Sequence, residues 1–118
     1  MGILVNPHKV VRTESKTEGT FYLADCLEVF RALPSASVDV IVTSPPYNMG
    51  IRYNTYQDTL SQADYLAWTS DWIAAAARVL KPEGSLFLNV GTRPSDPWTA
   101  LDVAQAGRQH LRLQNIIH

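Results

Sequence analysis

Apolar residues along this chain follow two different periods. Val38, Val40, Ile41 and Val42 form a nearly unbroken β-branched run, a pattern that predicts a strand buried on both faces of a parallel sheet. Ser85 to Val90 (Ser-Leu-Phe-Leu-Asn-Val) has the same character and predicts a second buried strand, ending at Gly91. Between them the period changes: Tyr65, Trp68, Trp72, Ile73, Ala76 and Val79 recur at spacings of three and four. That stripe predicts an amphipathic helix from about Gln62 to Leu80, ~28 Å long, packed on the sheet. Ser61-Gln62-Ala63-Asp64 is a capping box at its start, and Lys81-Pro82-Glu83-Gly84 supplies the proline and glycine that end it.

Shorter elements flank this core. Thr20 to Leu23 predicts a short strand, and Leu27, Val29, Phe30 and Leu33 a helix stopped by Pro34. Ser95-Asp96-Pro97 opens a further helix, with Pro97 in its first turn, running to about Ala106 with Gly107 as its cap. Leu111 to Ile117 predicts a last strand. The alternation of strands and helices predicts an α/β fold. Residues 1–19 read as a loose polar arm, a solvated tail, ahead of one domain over 20–118.

The buried run leads into Thr43-Ser44-Pro45-Pro46-Tyr47. Neither proline can donate a backbone hydrogen bond, so strand pairing must stop there. Each also restricts its predecessor, which directs the carbonyls of Ser44 and Pro45. Two carbonyl oxygens, a hydroxyl and an aromatic ring are thus gathered at the carboxyl end of a strand, where open α/β sheets bind ligands. A planar group with an edge amine suits them: it stacks on Tyr47 while its N–H groups donate to Ser44 and to the Pro45 carbonyl. The plainer reading is a proline turn that closes a strand, with Tyr47 as core filler. Downstream, Asn48-Met49-Gly50-Ile51-Arg52-Tyr53-Asn54-Thr55-Tyr56 is a polar, aromatic loop suited either to a lid or to a simple connector. Asp25 reads as the N-cap of the helix that follows it.

Composition narrows the classes. The chain has 118 residues, 46% hydrophobic and 18% charged, with net charge −1. That supports at most one domain and argues against a dedicated basic nucleic-acid module. One cysteine and three scattered histidines provide neither a disulfide framework nor metal-ligand spacing. Neither a membrane-spanning run nor a secretory signal is seen, which makes the cytoplasm the default location.

Thr43-Ser44-Pro45-Pro46-Tyr47-Asn48 resembles the catalytic motif of the amino-group DNA methyltransferases, in the circularly permuted subgroup whose catalytic half comes first. Leu23-Ala24-Asp25-Cys26-Leu27 and Leu80-Lys81-Pro82-Glu83-Gly84-Ser85-Leu86 are placed around it as in that family. The resemblance implies part of a class I S-adenosylmethionine-dependent, Rossmann-like methyltransferase sheet. It implies catalytic roles for Ser44, Pro45, Pro46 and Tyr47, and cofactor contacts from Asp25, the Cys26 backbone and Ser44. It also implies double-stranded DNA as partner, with a flipped-out base held by Tyr47 and Asn48. Arg52, Tyr53 and Tyr56 are the loop residues suspected of touching that DNA. The target is adenine-N6 or cytosine-N4, with Ser44 leaning toward cytosine. No Pro-Cys nucleophile of the cytosine-C5 enzymes occurs, so Cys26 is expected to be a small buried residue.

The family's Phe-x-Gly-x-Gly cofactor loop is missing, since no two of the glycines at 2, 19, 50, 84, 91 and 107 are separated by one residue. The chain is therefore expected to be the truncated N-terminal half of such an enzyme, completed by further residues or by a second polypeptide. Its sheet is expected either to carry a gap between the strand before Asp25 and the strand before Ser44, or to pair differently and leave apolar edges exposed. Two alternatives stay open: an inactive fragment that only binds nucleic acid or a partner chain, and a methyltransferase of RNA guanine-N2 or protein glutamine.

Overall fold

The structure, a computed structural model, describes residues 5–52 and 58–118. Its elements run β1 (Lys9–Arg12), β2 (Glu18–Phe21), α1 (Cys26–Ala32), β3 (Val38–Thr43), α2 (Gln62–Val79), β4 (Leu80–Leu88) and α3 (Thr99–Gly107). The two runs predicted as core strands pair in parallel, with Ile41 opposite Leu86, Val42 opposite Phe87 and Thr43 opposite Leu88. An irregularity after Val38 loops out the Lys81-Pro82-Glu83-Gly84 turn before Val40 meets Ser85. The helix-ending turn therefore lies inside β4, which starts directly after α2.

Helix α2 is the centre of the packing. Ser61 caps it as expected, its hydroxyl accepting from the Asp64 amide at 3.1 Å. The Asp64 carboxylate accepts from that same hydroxyl at 2.7 Å. Tyr65, Thr69, Trp72, Ile73, Ala76 and Val79 form its buried face. Ile41, Leu86 and Leu88 from the strands, Leu27 and Phe30 from α1, and Leu111 pack against the Trp72, Ile73 and Ala76 cluster. Arg78 ties α1 to the end of α2: its guanidinium donates to the Ser35 hydroxyl, the Leu33 carbonyl and the Phe30 carbonyl. Carbonyls left open at the carboxyl end of α1 are thereby satisfied.

Several expectations are corrected. Strand β3 is buried on one face only: Val40 is 53% exposed, Val42 76% and, beside them on β4, Phe87 55%. Helix α2 covers the opposite face of this two-stranded sheet. Residues 1–19 are not a loose arm throughout, because β1 and β2 form an antiparallel ribbon joined by a turn with Lys16 at φ 65°. That ribbon takes in Thr20 and Phe21, so the predicted strand begins earlier and ends before Leu23. Helix α3 begins at Thr99 rather than at Pro97, because the Asp96 carbonyl accepts from the Thr99 amide and hydroxyl and holds a turn there. Residues 111–117 form no strand; among the described residues none stands beside them to pair. The strand before Asp25 pairs differently from a strand of the β3–β4 sheet: β2 joins β1 in a separate antiparallel sheet.

Ile73 is 1% exposed at the centre of the core cluster. Ile73→Ala should destabilise the fold by about 2–5 kcal/mol in urea unfolding; a loss under about 1 kcal/mol would mean that α2 is not the packing centre.

Candidate functional site

Pairing of β3 with β4 ends where the prolines begin. The last rung runs from the Asn89 amide to the Thr43 carbonyl, at 2.9 Å. It sets Asn89, one residue beyond β4, beside Ser44, one residue beyond β3. The Asn89 side-chain amide donates to the Tyr47 hydroxyl at 2.8 Å, with a longer contact to Ser44 Oγ at 3.4 Å. Ser44 and Tyr47 share a hydrogen bond of 2.5 Å. Three polar groups from the ends of two adjacent parallel strands thus meet in one cluster, with Ser44 exposed and Tyr47 half-buried.

The Tyr47 ring lies over Gly91, where a Cβ would come within 2.6 Å of ring atom Cδ2. No larger residue fits under the ring without displacing it. Pro46 is held from the other side: the buried Tyr65 hydroxyl donates to its carbonyl at 2.7 Å. Among the described residues no donor reaches the Pro45 carbonyl, which is left free as an acceptor. Asn89, Gly91 and Tyr65 are site residues that the sequence reading missed. Asn89 was the one polar residue near the end of an otherwise apolar strand, and so satisfied the same carboxyl-end rule that singled out Ser44. Tyr65 carried no comparable signal, because its hydroxyl was hidden within a packing stripe.

After Tyr47 the chain turns sharply. Asn48 is buried at φ 58°, a left-handed conformation that asparagine tolerates better than most residues. Its side chain donates to the Leu60 carbonyl at 2.8 Å and accepts from the Leu60 amide at 2.9 Å. Its carbonyl accepts from Arg93 at 3.1 Å. Asn48 is thus part of the loop framework rather than an open base contact. Arg52 is exposed, whereas Tyr53 and Tyr56 lie outside the described residues.

Asp25 and Cys26 stand apart, at the start of α1, and no hydrogen bond joins them to Ser44 among the described residues. Asp25 is the N-cap, accepting from the Leu27 amide at 2.8 Å through one oxygen. Among the described residues its second oxygen and the Cys26 amide meet no hydrogen-bond partner, an acceptor and a donor that suit the edge of an adenine. Cys26 is exposed, against expectation, because it opens a helix whose packed face is set by Leu27 and Phe30. Partial desolvation, and then the neighbouring Asp25 charge, raise its thiol pKa. Such a thiol stays protonated near neutral pH and is a poor nucleophile. Among the described residues no group of three or more His, Cys, Asp or Glu side chains is placed to hold a metal ion, and no helix is long and apolar enough to cross a membrane.

The chain is similar to known DNA methyltransferases in sequence and in fold. The family model described as DNA methylase matches residues 38–118. The type II methyltransferase M.MjaVI of Methanocaldococcus jannaschii is 52% identical over 58 residues, which is 49% of this chain and 30% of the relative. The type II methyltransferase M.BamHI of Bacillus amyloliquefaciens is 44% identical over 71 residues, covering 59% of this chain and 17% of that protein. In fold, the chain resembles the structure of the cytosine-N4-specific PvuII DNA methyltransferase with a TM-score of 0.57 at 22% identity, covering 86% of this chain and 36% of that one. The chain thus spans less than a third of the length of either of these two sequence relatives.

Gly91→Ala should push the Tyr47 ring off its seat and lower stability by about 1–3 kcal/mol. An unchanged urea midpoint would show that the ring does not rest there. Alkylation of Cys26 should be slow at pH 7, with a midpoint in its pH profile above that of an ordinary thiol; a midpoint below it would contradict the environment described.

Proposed function

We propose that this chain, which belongs to the DNA methylase family, holds the exocyclic amine of a cytosine or adenine at Ser44 and Pro45 for methylation at that nitrogen. The observation that carries this reading is the Ser44, Tyr47 and Asn89 cluster beside a Pro45 carbonyl that meets no donor among the described residues. An amine has two N–H groups to place, and the site offers two acceptors: the Ser44 hydroxyl oxygen and the Pro45 carbonyl.

Proton placement within the cluster decides whether Ser44 can accept. If Tyr47 donates to Ser44 while Asn89 also points at Ser44, both serine lone pairs are engaged. If Ser44 donates to the Tyr47 oxygen instead, one lone pair is left for the amine. Asn89, as a pure donor through its NH2 group to the Tyr47 oxygen, is compatible with the second arrangement. Two hydrogen bonds accepted from the amine hold its nitrogen in place and orient its lone pair away from the protein, a contribution from positioning and electrostatics rather than from covalent catalysis. Cys26 stays outside the chemistry as a protonated thiol.

A base inside a duplex cannot reach such a pocket, so the substrate is a flipped base of double-stranded DNA. Tyr47, one face on Gly91, offers the other for stacking. Arg52, Tyr53 and Tyr56 are proposed to meet the flanking DNA. S-adenosylmethionine, when bound, supplies the methyl group; Asp25 and the Cys26 amide would hold its adenine edge. The serine favours cytosine-N4 as the target. One relative, a DNA adenine methyltransferase of Escherichia coli, is 32% identical over 69 residues, so adenine-N6 stays within the proposal. The uncovered face of Val40, Val42 and Phe87 supports completion of the enzyme by further polypeptide packed there, whether of the same chain or another.

The test is single-turnover methyl transfer to duplex DNA. Ser44→Ala and Tyr47→Ala should each lower the rate, on the order of a hundredfold, and the exposed Ser44→Ala change should do so with thermal stability kept. Transfer by Ser44→Ala at the unsubstituted rate would overturn the assignment.

A further inference from the structure

Asp58 is 2% exposed, and no cation pairs with it among the described residues. A buried carboxylate without a counter-charge is costly unless hydrogen bonds replace its water. Here three backbone amides do so. One oxygen accepts from the Asn48 amide at 2.9 Å, and the other accepts from Met49 and Ile51, each at 2.9 Å. The Asp58 carbonyl also accepts from the Gly50 amide at 2.9 Å. Four consecutive amides, all directly after Tyr47, thus converge on one residue seven to ten positions away. Charge-assisted bonds of this kind are short and directional, so they fix a backbone path rather than merely covering a charge.

The path they fix contains the left-handed Asn48, whose carbonyl is taken by Arg93 and whose side chain is locked to Leu60. Tyr47 is therefore anchored at both of its peptide neighbours: Pro46 by Tyr65, Asn48 by Asp58. We infer that Asp58 is a positioning residue for the base-binding site, holding Tyr47 over Gly91 by clamping the amides of residues 48–51. The inference rests on the proposed methylase reading of Ser44 and Tyr47. Among the described residues Asp58 makes no hydrogen bond to the Tyr47 or Ser44 side chain, and it takes no part in the transfer.

Asp58→Asn replaces one acceptor oxygen with an amide that faces other amides, so at least one of the three bonds is lost at nearly constant volume. In the full chain, with duplex DNA as substrate, its kcat/KM for DNA should fall by roughly tenfold or more, and S-adenosylmethionine affinity measured by calorimetry should stay within about twofold. Unchanged kcat/KM would overturn the inference, and so would an equal loss of cofactor affinity, which would mark a general structural role. Amide hydrogen exchange on the unsubstituted protein gives a second reading that needs no variant to fold. The Asn48, Met49 and Ile51 amides should exchange far more slowly than unstructured amides, and exchange at the unstructured rate would overturn the clamp. Absence of any transfer by the unsubstituted chain would count against the methylase reading instead, leaving the exchange experiment to decide on the clamp.

Discussion

The bond from the Asn89 amide to the Thr43 carbonyl is the last rung between two parallel strands, and the site's geometry follows from where that rung falls. With Thr43 opposite Leu88, Ser44 and Asn89 leave the sheet side by side. A one-residue slip of β4 would turn its side chains to the opposite face. Leu86 and Leu88 would then lose α2, and the polar cluster would not form. Packing of the helix and assembly of the cluster are therefore one constraint. The two prolines complete it by preventing any further rung.

Beyond the sheet, Tyr47 owes its position to bonds from outside its own strand. Tyr65 on α2 holds the preceding carbonyl, the buried Asp58 holds the following amides, and Gly91 leaves the space that the ring fills. Each draws on a different property: a hydroxyl on a buried helical face, a carboxylate satisfied by amides, and a missing Cβ. Among the described residues the Pro45 carbonyl meets no donor, while the Pro46 carbonyl beside it is held by Tyr65. An acceptor held this way needs no reorganisation when an amine arrives, which is the physical basis of preorganised binding.

Strands and helices with strong periodicity could be read from the sequence, and so could the motif itself. Val38 to Thr43, the α2 stripe and Asp25 as an N-cap all follow from local patterns that the packing reinforces. Strand burial was misjudged because an apolar β-branched run records what a strand is suited to, not how many neighbours cover it; Val42 is 76% exposed. Leu111 to Ile117 has strand-forming residues, but a strand needs a partner, and among the described residues none pairs with it. The ribbon of β1 and β2 is held by backbone pairing between exposed residues, which leaves almost no hydrophobic signature. The supports of Tyr47 were hidden for a different reason: Asp58 and Tyr65 act over separations of 10 and 19 residues, and neither periodicity nor turn chemistry links positions so far apart.

The role proposed for this cluster is to present an amine nitrogen of a DNA base for methylation. The most direct measurement is the identity of the modified nucleoside after the full chain has acted on duplex DNA with isotopically labelled S-adenosylmethionine, read by mass spectrometry of the digested DNA. The account predicts label in N4-methylcytosine or N6-methyladenine, with none in 5-methylcytosine. Label confined to 5-methylcytosine, or found only when RNA or protein replaces DNA, would contradict it.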